Sequence, residues 1–290
     1  MPANKWIAGA RPRTLPAAIA PVLVGTALRH TDHIEINLLN ALLALLVSLA
    51  LQVGVNYSND YSDGVRGTDA VRVGPVRLVG SGLATAAAVK RAAFIAFGFA
   101  AAVGLLLSVR SSLWFILLGA VCIPAAWYYT GGKNPYGYQG FGEVSVFFFF
   151  GLVATIGSYS VQSHRITWQS LLVAMPVGAL ACAILAINNL RDLPKDALVN
   201  KRTLAVRLGD QKARQAFIAL LLFAHLTALV AVVITPYAFA TLLLVPTSVV
   251  ISRSVWDGAK GAELIPLLGK IGKLHLLLST TLALALLAKR

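Results

Sequence analysis

Charge is scarce in this chain, and negative charge is scarcest. Of 290 residues only 12% are charged, and 11 are Asp or Glu against 25 Lys or Arg. With 58% hydrophobic residues and a mean hydropathy of +0.76, there is too little polar surface to cover the apolar remainder in water. A soluble globular domain is therefore excluded. Cysteine is nearly absent: Cys122 and Cys182 lie in apolar stretches with no partner at metal-binding spacing, which rules out a disulfide framework and a thiolate metal centre. The five histidines (His30, His33, His164, His225, His275) are scattered over separate segments and make no ligand cluster. The Gly-x-x-x-x-Gly-Lys-Ser/Thr pattern is missing too, so no nucleotide P-loop is present.

What the chain has in abundance is long apolar runs. They lie at about 14–30, 37–56, 88–109, 111–130, 141–161, 168–189, 214–234, 236–254 and 271–288, each near the length that crosses about 30 Å of hydrocarbon. The fold expected is all-α: a polytopic membrane protein of about nine transmembrane helices in one bundle, a single domain over 1–290. The junctions at Arg110-Ser111-Ser112 and Thr235-Pro236 are tight, and merging either pair lowers the count. The start, with Lys5, Arg11 and Arg13 before the apolar run 15–28, has the shape of a signal peptide, but the spans that follow make a retained first helix the expectation. With the N-terminus in the cytoplasm, every Lys and Arg except Arg29, Arg110, Arg165, Lys289 and Arg290 falls on the inner side. That asymmetry accounts for the net charge of +14 without nucleic acid, and it points to the cell membrane, multi-pass, with a cytoplasmic N-terminus.

The few acids are concentrated. The sixth span ends in "AINNLRDLPKDALVNKR" (186–202), where Asn188, Asp192 and Asp196 are spaced four apart and so stack on one helix face. Pro194 disfavours continued helix there, so Asp196 is expected at a bent or frayed end. The second span ends in "VNYSNDYSDGVRGTDAVR" (55–72), with Asn56 and Asp60 four apart, then Asp63 and Asp69. Each motif sits at the inner end of an even-numbered span, and similar tails follow, "RVGPVRLVGSG" and "KRTLAVRLGD". The parallel suggests an internal repeat of four helices, about 14–130 and 141–254. One such cluster reads equally well as a solvated helix end; two matched ones point to function, because carboxylates near a bilayer are costly. Asp and Asn oxygens suit Mg²⁺, with candidate ligands Asn56, Asp60, Asp63, Asn188, Asp192 and Asp196. Arg66, Arg72, Lys201 and Arg202 ring these acids and suit phosphate oxygens that a metal does not reach. A diphosphate matches both halves of that set, and the acidic end is then the cytoplasmic active site.

These residues resemble the UbiA superfamily of intramembrane aromatic prenyltransferases, whose members carry two Asp-rich motifs on helices two and six. The resemblance covers nearly the whole chain. Within the superfamily the likeness is greatest to the menaquinone-pathway branch, through "ARPRTLPAAIAPVLVG" (10–25), "NYSNDYSDGVRGTD" (56–69) with "RVGPVRLVGSGL" (72–83), "YYTGGKNPYGYQGFGE" (128–143) and "NNLRDLPKDALVNKRTLAVRLG" (188–209). One departure is visible: the superfamily's first motif often continues with a second carboxylate four residues on, but position 64 is Gly, leaving Asp63 or Asp69 to complete the set.

The resemblance implies a bilayer enzyme with two substrates and Mg²⁺. A polyprenyl diphosphate lays its tail among the helices, the allylic carbon becomes cationic, and a ring carbon of 1,4-dihydroxy-2-naphthoate attacks it. Loss of the carboxylate gives demethylmenaquinone, CO₂ and diphosphate. Catalytic roles fall to Asp60, Asp192, Asp196, Lys133 and Tyr129. Lys133 is expected to reach the diphosphate. Trp127, Tyr128 and Tyr129 either face the carbocation or form an interfacial aromatic belt. Arg11 and Arg13 either receive the acceptor's carboxylate or simply mark the inner side. Glu143 is either functional or paired with Lys133. "VFFFFGL" (146–152) reads as lipid-facing or tail-packing surface. Two alternatives remain: another aromatic acceptor such as 4-hydroxybenzoate, and a transporter, whose charges would sit nearer the bilayer midplane.

Overall fold

In hydrocarbon a chain must satisfy every backbone N–H and C=O internally, which for apolar runs of this length means helices. The computed structural model, which describes residues 4–33, 35–67 and 76–289, follows that rule. Among the described residues there is no β-strand. The helices are α1 (Lys5–Ala10), α2 (Pro16–Leu28), α3 (Leu38–Val65), α4 (Ala86–Arg110), α5 (Trp114–Tyr128), α6 (Gly142–Val146), α7 (Ala154–Ser163), α8 (Trp168–Leu198), α9 (Leu204–Val230), α10 (Val245–Trp256) and α11 (Leu264–Leu287). A π-helical stretch, Phe147–Val153, joins α6 to α7, and a 3₁₀ stretch, Pro236–Leu244, leads into α10.

Among the described residues, seven segments are long and apolar enough to cross a membrane: Leu38–Val65, Ala86–Arg110, Gly142–Ser163, Trp168–Leu198, Leu204–Val233, Pro236–Trp256 and Gly261–Leu287. The runs expected at 14–30 and 111–130 are shorter helices, α2 with 13 residues and α5 with 15. At 1.5 Å per residue, α2 spans only about 20 Å. Both tight junctions are real breaks, α4 ending at Arg110 and Thr235 being extended.

Two helices outrun their apolar stretches. Helix α3 continues nine residues past the expected end at 56, carrying the first acidic motif as helix to Val65. Helix α8 passes through Pro194 to Leu198, so Asp196 is buried helix rather than a frayed end. Proline there removes one ladder bond, and a 31-residue helix with a Thr167–Ser170 capping box tolerates that loss close to its end.

Helix α8 is the hub. Its most apolar window is 72% buried, against 28% for α3 and α4. Its small residues Ala179, Ala181 and Ala183 pack with Phe217 and Leu221 of α9 and Leu274 and Leu278 of α11. Close approach through small residues drives association where lipid tails are as apolar as the helix surface. One such contact is Gly151 in the π-helical stretch against Gly178 of α8: a Cβ on Gly151 would lie 2.5 Å from the Gly178 Cα. The outward faces carry exposed Leu106, Val109, Leu117, Leu222 and Leu243, as a lipid-facing surface requires.

Candidate active site

The last turns of α3 hold the first motif, and its members face different tasks. Asn56 Nδ2 donates to the Ala10 carbonyl (2.8 Å) and to Thr14 Oγ1 (3.0 Å), and Arg11 Nη2 donates to the Asn56 carbonyl (3.2 Å). Asn56 therefore ties the α1–α2 junction to α3. Asp60 is fully buried, and its two oxygens accept from the backbone N–H groups of Leu78 (2.8 Å) and Val79 (3.0 Å). The sequence reading took these two as ligands; the structure gives both oxygens of Asp60 to the 76–83 loop, whose amides would otherwise be unsatisfied in a buried setting.

Asp63, one turn further, faces the centre of the site. Tyr138 Oη donates to it, Arg77 Nη2 lies 3.6 Å away and Lys201 Nζ 3.9 Å away. Asn59, four residues before Asp63, lines the adjoining cavity and accepts from Thr130 Oγ1 (2.8 Å). The Asn-x-x-x-Asp spacing thus occurs in two overlapping registers, 56/60 and 59/63. The second register was present in the sequence, and helical spacing alone does not choose between them.

The second motif reaches the same point from α8. Asn188 donates to the Ile184 carbonyl (3.0 Å) and lines the cavity. Asp192 is bridged by both Nε and Nη2 of Arg191, at 2.8 and 2.7 Å. Beyond the helix Asn200 adopts a left-handed backbone (φ 56°) and the Lys201 N–H returns to the Asp196 carbonyl at 2.9 Å. The side chain of Lys201 thereby sits 3.9 Å from Asp196 Oδ1 and 3.9 Å from Asp63 Oδ1. One lysine spans the two motifs. Its ammonium and the Arg66 guanidinium lie over the Tyr138 ring, 4.8 and 5.1 Å from the centroid.

The other expected residues separate. Arg66 donates to the carbonyls of Thr130 and Gly132, so it fastens the glycine-rich loop. Lys133, Arg202, Arg13 and Tyr128 are exposed, and none of them lines the adjoining cavity. Arg72 and Asp69 lie outside the described residues. Glu143 takes its hydrogen bond from Asn189 Nδ2 (2.9 Å), and no bond to Lys133 forms. Tyr129 lines the cavity beside Tyr136, rings edge to face at 5.5 Å. Burial raises the Tyr136 hydroxyl above the usual phenol range, which keeps it a donor to the Ala125 carbonyl (2.8 Å). Arg77, Arg191 and Tyr138 were not singled out by motif spacing. Arg77 and Tyr138 are close neighbours of the acids only through loops that return from distant parts of the chain.

Beneath the acids lies a cavity of about 620 Å³. Its polar end is made by Arg11, Thr14, Gln52, Asn56, Asn59 and Asn188; from there it runs between α3, α4, α5 and α7 against Leu105, Ile116 and Phe149. The volume is that of a ligand site. Among the described residues no three Asp, Glu, His or Cys side chains form a ready metal cage. Mg²⁺ needs less, since one or two carboxylates plus substrate phosphate and water complete its shell. Asp63 with Asn59, and Asp192 and Asp196 with Asn188, supply hard oxygens of that kind.

The description "UbiA prenyltransferase family" matches residues 18–285. The chain is 50% identical over 268 residues to a protein of Mycobacterium tuberculosis (strain ATCC 25618 / H37Rv) named 1,4-dihydroxy-2-naphthoate octaprenyltransferase, covering 92% of this chain and 91% of that one. A protein of the same name from Mycobacterium leprae (strain TN) is 47% identical over the same shares. In fold, the chain resembles a UbiA homolog from Archaeoglobus fulgidus solved with DMAPP and Mg²⁺, with a TM-score of 0.69, 16% identity and coverage of 99% and 100%. Two acid-bearing helix ends meeting over an apolar cavity, on a scaffold matched end to end, lead to one conclusion: the chain belongs to the UbiA prenyltransferase family.

Proposed function

We propose that this enzyme transfers a polyprenyl chain from polyprenyl diphosphate to 1,4-dihydroxy-2-naphthoate, at the cytoplasmic face of the cell membrane. The observation that carries the reading is Lys201, 3.9 Å from a carboxylate of each motif, while Asn59 and Asn188, each four residues before one of the acids, line a cavity whose other walls are mostly apolar. The acids and cations suit the diphosphate, and the cavity suits the tail. Asp63, Asp192 and Asp196, with Asn59 and Asn188, would hold Mg²⁺, which when bound neutralises charge on the departing diphosphate. Lys201 and Arg77 add fixed positive charge beside those acids. Arg11, at the cavity's polar end, is suited to the acceptor's carboxylate. The cavity's apolar walls keep water from the allylic cation, and Tyr129 presents an aromatic ring there.

The allylic C–O bond breaks and diphosphate leaves. A C–C bond then forms at the ring carbon that bears the carboxylate, and CO₂ departs with rearomatisation. The product has the demethylmenaquinone skeleton at the quinol level, so no oxidant is required. The relatives' names support the naphthoate acceptor, and the distribution of basic residues supports the orientation.

The test is purified protein with geranylgeranyl diphosphate, 1,4-dihydroxy-2-naphthoate and Mg²⁺, with 4-hydroxybenzoate competing and products read by mass spectrometry. Prenylated, decarboxylated naphthalene product, abolished by chelator and by Asp63→Asn or Asp192→Asn, is the expected result. Product only from 4-hydroxybenzoate would overturn the acceptor assignment; none from either would overturn the reaction.

A further inference from the structure

Tyr138 meets Asp63, Arg66 and Lys201 at once, yet a tyrosine is neither a metal ligand of choice nor a phosphate cation. Its position is imposed from both sides. The Gly137 N–H donates to the Tyr129 carbonyl at 2.9 Å, and a Cβ on Gly137 would lie 2.6 Å from that oxygen. Gly140 (φ 84°) passes so close to Arg207 that a Cβ there would lie 2.7 Å from its Nε. The loop is thus seated between the end of α5 and the start of α9, and Tyr138 projects from it between the two acidic helix ends.

There the side chain does two separable things. Two cations lie over the ring, Arg66 from the segment after the first motif and Lys201 from the segment after the second. The hydroxyl donates to Asp63 Oδ1, the same oxygen that Lys201 approaches at 3.9 Å. A hydroxyl proton and a metal cation on the same carboxylate oxygen repel one another, so a cation that binds Asp63 Oδ1 competes with the hydroxyl there. The ring, by contrast, competes with nothing: it holds in place charges of the kind a diphosphate needs.

We propose that Tyr138 is a positioning residue that occupies Asp63 through its hydroxyl until a metal-bound diphosphate claims that carboxylate, while its ring, backed by the loop-fastening Arg66, keeps Lys201 aimed at the site throughout. The proposal rests on the diphosphate reading above. It makes the hydroxyl a brake on binding and the ring an aid to it, so the two halves of one side chain have opposite signs.

Binding of inorganic diphosphate to the full-length protein in nanodiscs, titrated calorimetrically at fixed Mg²⁺, separates them. Tyr138→Phe keeps the ring and is expected to bind about tenfold tighter than wild type, the scale of a hydrogen bond to a charged acceptor. Tyr138→Ala, which loses the platform as well, is expected to bind more weakly than Tyr138→Phe. In an Asp63→Asn background the gain from Tyr138→Phe should shrink to less than about twofold, because the oxygen it releases no longer carries the charge. Wild type that binds with Tyr138→Phe equal or weaker overturns the proposal and leaves the diphosphate site standing. Wild type with no Mg²⁺-dependent binding overturns the diphosphate reading itself. Should Tyr138→Phe fail to fold, 3-fluorotyrosine at position 138, whose hydroxyl is the stronger donor, must weaken binding; equal or tighter binding sinks the idea.

Discussion

Asp60 and Asp63 are both buried carboxylates on the last turns of α3, three residues apart, and their neighbours divide the labour between them. Asp60→Asn would turn an amide N–H₂ toward a backbone donor, either Leu78 or Val79, inside a buried pocket. Leaving such a donor unsatisfied costs about 1–3 kcal/mol. The expected result is a thermal midpoint lower by several degrees, with the loop that carries Arg77 loosened. Asp63→Asn keeps the loop and is expected to leave the midpoint within about two degrees, but to cut prenyl transfer by at least about 10²-fold. Paired thermal-shift and turnover measurements on the two variants check this; equal losses of stability would contradict the assignment. Lys201→Ala leaves Asp63 and Asp196 facing one another without the cation between them. Turnover is expected to fall by about 10²-fold, with Lys201→Arg recovering part of it, since Arg retains charge but not the compact ammonium.

At the scale of elements, the site depends on how closely a few of them approach. Helix α8 meets the Phe147–Val153 stretch through Gly178 and Gly151, with no space for a side chain between. The wider π turn and the two glycines belong together: the bulge re-aims the chain where the backbones touch. Gly151→Val is expected to destabilise by about 1–3 kcal/mol through overpacking, read as a lower unfolding temperature in detergent, and to shift Phe149 at the cavity wall. An unchanged midpoint would show that the two elements part easily. Helical periodicity made α3 and α8 legible from the sequence, along with the shared face of Asn188, Asp192 and Asp196. It also made Asn56/Asp60 and Asn59/Asp63 equally good motifs. Only the return of the 76–83 loop onto Asp60, and of the Tyr138 loop onto Asp63, tells them apart.

At the scale of the molecule, the cavity is the feature that no local pattern announces. Gly104 and Gly119 line it; a Cβ on Gly104 meets only Val47 at 3.9 Å, and one on Gly119 meets nothing within 4 Å. Gly104→Phe therefore fills cavity volume without a clash at the Cβ. It is expected to lower kcat/KM for geranylgeranyl diphosphate by about tenfold more than for dimethylallyl diphosphate. Equal losses for both donors would place the tail elsewhere. The two helices too short to cross alone fit this picture in different ways. The buried α2 sits among α3, α7, α8 and α11, while every residue of α5 is at least partly exposed, which leaves that side of the cavity thinly walled.

The sequence by itself determined the solvent and the helical class of the secondary structure, and it suggested the chemistry proposed for the site. Those follow from local quantities: apolar runs as long as a bilayer is thick, a period of 3.6 residues, and scarce acids concentrated at helix ends. Tertiary structure alone decided which acids face one another and which hold loops. It also decided that Arg66 fastens a loop whereas Lys201 joins the motifs, and that both lie over one tyrosine ring. The reason is that a side chain's role depends on the groups within about 4 Å of it. For Asp63 those come from positions 77, 138 and 201, whose distances no helical period encodes.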